Sequence, residues 1–298
     1  MLKNSSKHAI ALLITVFFIM AITIGLGIAL KSVKKSSKTI ENERFMIQSR
    51  VVLDDVLKML GSFKELEDIK SAEDLSVFLD MSSSIFFEQN GVKVKIEIDS
   101  ARGKINPNTL TTPQRKDSFK RFLSTKMVNE EYGDMLADIV SGIKEDMSYN
   151  TDIFEQKPYL FRDYVASYEH LDEVNDSYTK RFHDNSLKNI QMQELFYISK
   201  DKNSSIDLNY ATPLVWEVLL GCDEPRATML SGSEGTYTSL DDLGLNDDEK
   251  VMLLRFKTSF YEPYIDVKIN IIQKNMEANI RFEYNIKLKR GSNFVFEV

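Results

Sequence analysis

Residues 264–298 read YIDVKINIIQKNMEANIRFEYNIKLKRGSNFVFEV, and this stretch decides the fold. Apolar and polar residues alternate along most of it, which is the period of a half-buried β-strand. Asn275 and the run Arg290-Gly291-Ser292 interrupt the alternation with residues that favour turns. The sequence therefore predicts three consecutive strands at the end of the chain.

A second region with strand character lies far upstream and carries the strongest turn signal. Residues 84–99 read SIFFEQNGVKVKIEID around Asn90-Gly91. Both positions of such a two-residue turn need a positive φ, which Asn and Gly adopt most easily, so we predict a β-hairpin. We expect the early and late strands to share one sheet.

The chain between these regions has helical character. Its predicted helices are Pro113 to Thr125, Asn129 to Lys144 and Leu214 to Leu220, and polar loops separate them. Ahead of the hairpin, Ser71 to Met81 predicts a short helix with Ser71 as its N-cap. The fold class is therefore α+β, with a core formed by residues 31–102 and 248–298 and a large helical insertion at 103–247.

The N-terminal region contains an uncharged run from Ala9 to Leu30, AIALLITVFFIMAITIGLGIAL. A helix that crosses a bilayer needs about 20 apolar residues. A cleaved signal peptide is the alternative, but its apolar region is usually about 7 to 15 residues long and ends at a small-residue cleavage site. Here a lysine-rich segment follows instead, so we predict a retained transmembrane helix over residues 10–30.

The helix is predicted to continue beyond the membrane as a long amphipathic helix. Phe45, Val52, Val56, Met59 and Phe63 recur at helical spacing. Core packing on the chain's own antiparallel sheet explains this stripe. The alternative is that Phe45, Val52 and Val56 bind a partner protein.

One short pattern occurs twice. Lys104-Ile105-Asn106-Pro107-Asn108 precedes Thr112-Pro113, and Ser205-Ile206-Asp207-Leu208-Asn209 precedes Thr212-Pro213. Thr suits a helix N-cap and Pro suits the first helical turn. Asn106, Asn108, Asn209 and Thr212 are therefore predicted to fix how each loop leads into its helix, without a ligand.

Composition argues against several function classes. The formal net charge is -7, whereas a nucleic-acid-binding surface needs basic residues. Cys222 is the only cysteine, so no intrachain disulfide can form. His8, His170 and His183 lack the spacing of a metal site, and no nucleotide-binding or hydrolase motif occurs. We expect a protein that is not an enzyme and requires no cofactor.

An acidic cluster near the end of the insertion is a candidate calcium site. It comprises Asp241, Asp242, Asp247 and Asp248. Calcium takes oxygen ligands, but the cluster lacks the order of an EF-hand. A capping box formed by Asn246 and Glu249 at the start of a helix is the simpler interpretation.

Several short motifs follow one another in a family-specific order. They are Ala9-Ile10-Ala11-Leu12-Leu13, Ile105-Asn106-Pro107-Asn108, Asn185-Ser186-Leu187 with Glu194-Leu195, and Ile206-Asp207-Leu208-Asn209-Tyr210-Ala211. In this order the chain resembles the minor pseudopilin K family of type II secretion systems, also called general secretion pathway protein K. The resemblance implies a pilin-like core with an inserted helical domain.

The resemblance also implies a location and partners. Prepilin peptidase would remove residues 1–9 as a leader, between Ala9 and Ile10, although most precursors have Gly where Ala9 stands. Gly25 and Gly27 would let transmembrane helices approach closely. The protein would be a single-pass inner-membrane protein with its soluble part in the periplasm, at the pseudopilus tip with other minor pseudopilins. Some family members bind calcium, so the resemblance also allows a calcium ion. A role in a type IV pilus system is the alternative to type II secretion.

Two observations favour other interpretations. Four lysines follow the apolar run and two precede it, which by charge bias would place the soluble part in the cytoplasm. Residues 206–227 also resemble the helix-hairpin-helix module of DNA-uptake receptors. Asp223 stands there in place of a glycine, and its charge would repel a phosphate. A membrane-anchored DNA-binding protein is therefore the alternative function, and no nucleic-acid partner is expected.

Overall fold

The computed structural model describes residues 38–297 except Ser83, Asn90, Met147 and Glu234, and also Met20. The predicted cleavage site at Ala9 and Ile10, the transmembrane helix and its glycines Gly25 and Gly27 lie outside the described residues. Within the part of the chain that is described, no helix is long and apolar enough to cross a membrane.

The chain forms two compact units. The first takes its residues from Met1–Ala101 and Pro263–Val298, and the second is Arg102–Glu262. The second unit therefore lies, in sequence, between two parts of the first.

The first unit contains a five-stranded sheet. Its strands are β1 Ser84–Gln89, β2 Val92–Ser100, β5 Tyr264–Gln273, β6 Met276–Asn285 and β7 Arg290–Glu297, and the two intervening strands belong to the second unit. The order in the sheet is β1-β2-β5-β6-β7. All neighbours are antiparallel, and β2 pairs with β5 with Ile96 opposite Ile269. The predicted hairpin and the shared sheet are thus confirmed.

Two helices pack on this sheet. The long helix α1, Lys38–Ser62, lies against β5, β6 and β7, and α2, Ala72–Ser82, lies against β2. Ser71 Oγ accepts a hydrogen bond from the backbone N–H of Asp74 at 3.1 Å, as expected of an N-cap. The α+β prediction of a long helix on an antiparallel sheet is therefore confirmed.

One predicted turn is wrong. The β6–β7 turn comprises residues 286–289, before the predicted Arg290-Gly291-Ser292. Lys289 adopts the left-handed conformation with φ 50°, and Asn285 Oδ1 accepts a hydrogen bond from Leu288 N at 2.8 Å. Gly291 lies inside β7, where a Cβ would come within 2.6 Å of the Phe294 ring. The glycine therefore serves packing and not the turn.

The second unit is mainly helical. Its longer helices are α3 Pro113–Thr125, α4 Glu131–Val140, α6 Tyr168–Phe182, α8 Pro213–Leu220, α9 Glu224–Ser231 and α10 Asp247–Leu253. Single-turn helices α5, Ile153–Gln156, and α7, Met192–Leu195, lie among them, and β3 (Ile206–Asp207) pairs in parallel with β4 (Thr258–Ser259). These elements enclose one core that includes the buried rings of Phe119, Tyr132, Phe196 and Trp216.

The second unit ends at Glu262, later than the boundary at Asp247 that the sequence suggested. Helix α10 packs on α8, and the side chain of Asn209 donates a hydrogen bond to the carbonyl of Phe260 at 2.7 Å. Residues 248–262 therefore belong to the helical unit, in which these contacts are made.

Candidate functional site

The two faces of α1 differ in what they offer. Phe45, Val52 and Val56 are buried against the sheet of their own unit. That position removes the accessible surface that a partner would need, so these three candidate partner-binding residues are core residues. On another face, Ile47 is 59% exposed and Val51 is 45% exposed. They are one helical turn apart, so they form one continuous apolar strip.

The 106–108 loop is held by its two asparagines. Asn106 Oδ1 accepts from the backbone N–H of Asn108 at 3.1 Å, and its Nδ2 donates to the carbonyls of Ser199 and Asp201 at 2.9 and 2.8 Å. Asn108 accepts from Val165 N at 2.6 Å and donates to the carbonyls of Val165 and Ser199 at 3.0 and 2.8 Å. Both side chains are buried, so the bonds fix the loop to distant backbone.

The 207–209 loop repeats this arrangement. Asp207 Oδ1 accepts from the backbone N–H of Asn209 at 3.1 Å. Asn209 Oδ1 accepts from Tyr237 N at 2.8 Å, and its Nδ2 donates to the carbonyls of Tyr237 and Phe260 at 2.9 and 2.7 Å. The repeated sequence pattern is thus a repeated structural device, in which a side chain closes its own turn and an asparagine two residues later clamps another segment.

The 207–209 loop and the residues after it lie beside Arg102 and Gly103, which precede the 106–108 loop. Asp207 N donates to the Arg102 carbonyl at 2.9 Å, and Thr212 N donates to the Gly103 carbonyl at 3.3 Å. A Cβ at Gly103 would lie 2.1 Å from the carbonyl oxygen of Tyr210, so only glycine fits this approach. Thr212 Oγ1 then caps α8 by accepting from Val215 N at 3.3 Å. The role of Gly103 was not predicted, because no local feature of the sequence indicates that the Tyr210 backbone lies so close to it.

Asp207 has an unusual electrostatic environment. Burial raises the pKa of its carboxyl to about 7, and the nearby charge of Glu262 adds to the effect. The hydrogen bonds that it accepts from Glu262 N and Asn209 N act in the opposite direction. The hydrogen bonds described for its carboxylate come from the backbone N–H groups of Asn209 and Glu262, so the group holds structural loops together.

One member of the acidic cluster, Asp242, caps the start of a short helical turn. Asp242 accepts from Thr238 N, Thr238 Oγ1 and Ser239 N at 2.8, 2.9 and 2.8 Å, and these bonds hold its pKa below the usual value. Asn246 and Glu249 form the expected reciprocal capping box at α10. In the residues that the structure covers, no group of three or more His, Cys, Asp or Glu side chains is arranged to hold a metal. Calcium binding by Asp241, Asp242, Asp247 and Asp248 stays a prediction.

Helices α8 and α9 form a hairpin, as the DNA-binding alternative requires. Its second helix, however, is capped by Asp223, whose carboxylate accepts from the backbone N–H of Arg226 at 3.1 Å. The Arg226 guanidinium pairs with Glu249 at 3.1 Å. The Asp223 carboxylate therefore occupies a backbone N–H group that a phosphate would need, and the charge of Arg226 is already neutralised by Glu249.

A long helix on an antiparallel sheet, interrupted in sequence by a helical unit, defines the class: the chain has a pseudopilin-like fold. It superposes on a chain of the structure described as "The Crystal Structure of the GspK-GspI-GspJ complex from enterotoxigenic Escherichia coli Type 2 Secretion System", with a TM-score of 0.53. The match covers 88% of this chain and 98% of that chain, at 15% sequence identity. No family model and no curated protein matches the sequence.

Proposed function

We propose that this protein is a minor pseudopilin of a type II secretion system or a related pilus system, and that it acts by assembly and not by catalysis. The observation that carries the proposal is the superposition on a chain of a pseudopilin complex over almost the full length of that chain. The order of the sequence motifs, from Ala9 to the 207–209 loop, supports the same assignment.

In this proposal the apolar run over residues 10–30 anchors the protein in the bacterial inner membrane, and α1 continues from that anchor. Both units lie in the periplasm, and prepilin peptidase processes the N-terminus. The partners are other minor pseudopilins, with which the protein forms the tip that initiates pseudopilus assembly. No nucleic acid is bound, which agrees with the carboxylates at the α8–α9 hairpin.

The contact with a partner is proposed at the exposed strip of α1 and not at its buried stripe. Ile47 and Val51 expose apolar surface beside a helix that already buries Phe45, Val52 and Val56 in its own unit. Burial of such surface against another helix favours association, since apolar area leaves water. In helices that pack side by side, rows of side chains four residues apart, such as Ile47 and Val51, fit into grooves of the neighbouring helix.

Co-purification of the full-length protein in detergent with candidate minor pseudopilins from the same genome tests the proposal. We expect the wild type to retain at least one candidate, and Ile47→Glu with Val51→Glu to lose it while keeping its melting midpoint. Val77→Glu is the matched control, because Val77 is an exposed valine on α2 of the same unit. Failure of every candidate to co-purify with the wild type would contradict the proposed function.

A further inference from the structure

Exposed apolar side chains and arginines meet at the end of α10 in the second unit. Val251 is 60% exposed and Leu254 is 76% exposed. They are three residues apart, so they lie on one face of the last helical turn. We call Val251 and Leu254, together with Arg115, Arg121 and Arg255, the basic-apolar surface.

Hydrogen bonds hold the three arginines around this turn. Arg121 Nη1 lies 3.5 Å from the Sδ of Met252, which adjoins Val251. Arg115 Nε donates to the carbonyl of Arg255 at 2.9 Å, directly after Leu254. Arg255 Nη1 in turn donates to Ser118 Oγ at 3.2 Å. The guanidinium groups of Arg115 and Arg121 therefore contact the turn that carries the two exposed apolar side chains, and that of Arg255 reaches from this turn to α3.

These arginines differ from neighbouring basic groups of the unit in how their charge is compensated. Lys116 and Lys120 pair with Asp134 at 3.2 and 2.5 Å. In the described part of the chain, Arg115, Arg121 and Arg255 make no ion pair with a carboxylate. Burial also lowers the pKa of Arg115, which shows that its charge is partly desolvated.

An acidic partner with an apolar stripe matches both the positive charge and the apolar side chains of this surface. Guanidinium groups present planar, paired donors that fit carboxylates, and an apolar contact beside them is shielded from water. A lipid surface is the weaker match, since membrane attraction usually relies on clusters of about four to eight basic residues. Here three arginines are already fixed by hydrogen bonds, which favours recognition of a folded segment.

We propose that the basic-apolar surface docks an acidic amphipathic helix of a protein partner. The apolar stripe of that helix covers Val251 and Leu254, and its carboxylates pair with the guanidinium groups around them. This mode of binding is the helix-on-surface recognition seen in many complexes. It goes beyond the assembly proposed through α1 and does not depend on it.

A fluorescein-labelled peptide tests the proposal by fluorescence anisotropy with the full-length protein in a neutral detergent. The peptide is a designed amphipathic helix with leucine on one face and glutamate elsewhere, and its twin carries lysine in place of glutamate. We expect saturable binding of the acidic peptide. Arg121→Gln should weaken the affinity for the peptide by at least about tenfold, and so should the double substitution Val251→Ser with Leu254→Ser. Added salt weakens it too, because charges are screened.

Ile143→Ser is the matched control, since Ile143 is an exposed apolar residue of the same unit outside the basic-apolar surface. It should bind the peptide as the wild type does, and all variants should keep the wild-type melting midpoint. Absence of saturable binding, equal binding of the lysine twin, or unchanged affinity in the Arg121 and Val251/Leu254 variants would overturn the proposal. Competition by anionic vesicles but not by excess unlabelled acidic peptide would also overturn it.

Discussion

Asp207 Oδ2 accepts a hydrogen bond from the backbone N–H of Glu262 at 2.9 Å. The bond ties the 207–209 loop to the last residue of the second unit. The Asp207 side chain is fully buried, and burial raises the pKa of the carboxyl to about 7. The link therefore depends on a group that changes its charge near neutral pH, where an ordinary aspartate stays ionised.

Asp207 should make the free energy of unfolding depend on pH. In the unfolded chain its carboxyl has the ordinary aspartate pKa of 3.8, whereas in the folded chain the pKa is about 7. Between these values the folded state holds a proton that the unfolded state has lost, so this contribution to stability falls as pH rises. The slope is at most about 1.4 kcal/mol per pH unit.

Asp207→Asn cannot titrate, so its stability should fall less steeply over this window than that of the wild type. Urea unfolding of both proteins at about pH 5 and about pH 7.5 measures the difference. Identical pH dependence in the two proteins would show that Asp207 keeps an ordinary pKa.

Asn209→Ala should destabilise the second unit by about 2–4 kcal/mol, because it leaves partly buried backbone groups of Tyr237 and Phe260 without the bonds that they make to the buried Asn209 side chain. Asn203→Ala is the control, since Asn203 is exposed and should change stability by less than about 0.5 kcal/mol. Denaturant unfolding monitored through Trp216 measures both. A similar effect of the two substitutions would contradict the clamping role.

Gly103→Ala should cost at least about 2 kcal/mol, since its Cβ would overlap the Tyr210 backbone and push apart the loop segments that contain Gly103 and Tyr210. Gly232→Ala is the matched control because no atom lies within 4 Å of its added Cβ. Thermal unfolding of both variants tests this. An unchanged midpoint for Gly103→Ala would show that the loops can separate freely.

Calcium should have little effect on the melting midpoint if the acidic cluster serves only the local structure, as the bonds that Asp242 accepts from Thr238 and Ser239 indicate. Melts in calcium and in chelator measure this. A rise with calcium that is lost in Asp241→Asn with Asp247→Asn would instead establish the predicted site, since a ligand that binds only the folded state stabilises it.

Features with local causes could be predicted from the sequence. Asn90-Gly91 specifies its hairpin because few other residue pairs adopt that turn. Ser71 and Thr112 begin helices because their side chains satisfy free N–H groups of the first turn. The apolar stripe of α1 likewise indicated a helix on a sheet, and the structure buries Phe45, Val52, Val56 and Met59 of that stripe, whereas Phe63 follows the end of the helix and is half-buried.

Features with distant causes could not be predicted. Gly291 looked like a turn residue, yet it is small because Phe294 and Leu57 occupy the space beside it. The end of the helical unit depends on contacts such as Asn209 with Phe260, 51 positions apart. The exposed strip of Ile47 and Val51 was missed because apolar residues occur on more than one face of α1, and only packing shows which of them are buried.

Cross-linking from outside the inner membrane tests the central claim most directly. The protein would carry Ile47→Cys together with Cys222→Ser, and the candidate pseudopilin would carry one cysteine on its own long helix. Cells with a permeabilised outer membrane would then be treated with a bis-maleimide that cannot cross the inner membrane. We expect a cross-linked pair in unlysed cells that disappears when the cysteine is moved from position 47 to position 77. A pair that forms only after lysis, or none with any candidate, would contradict it.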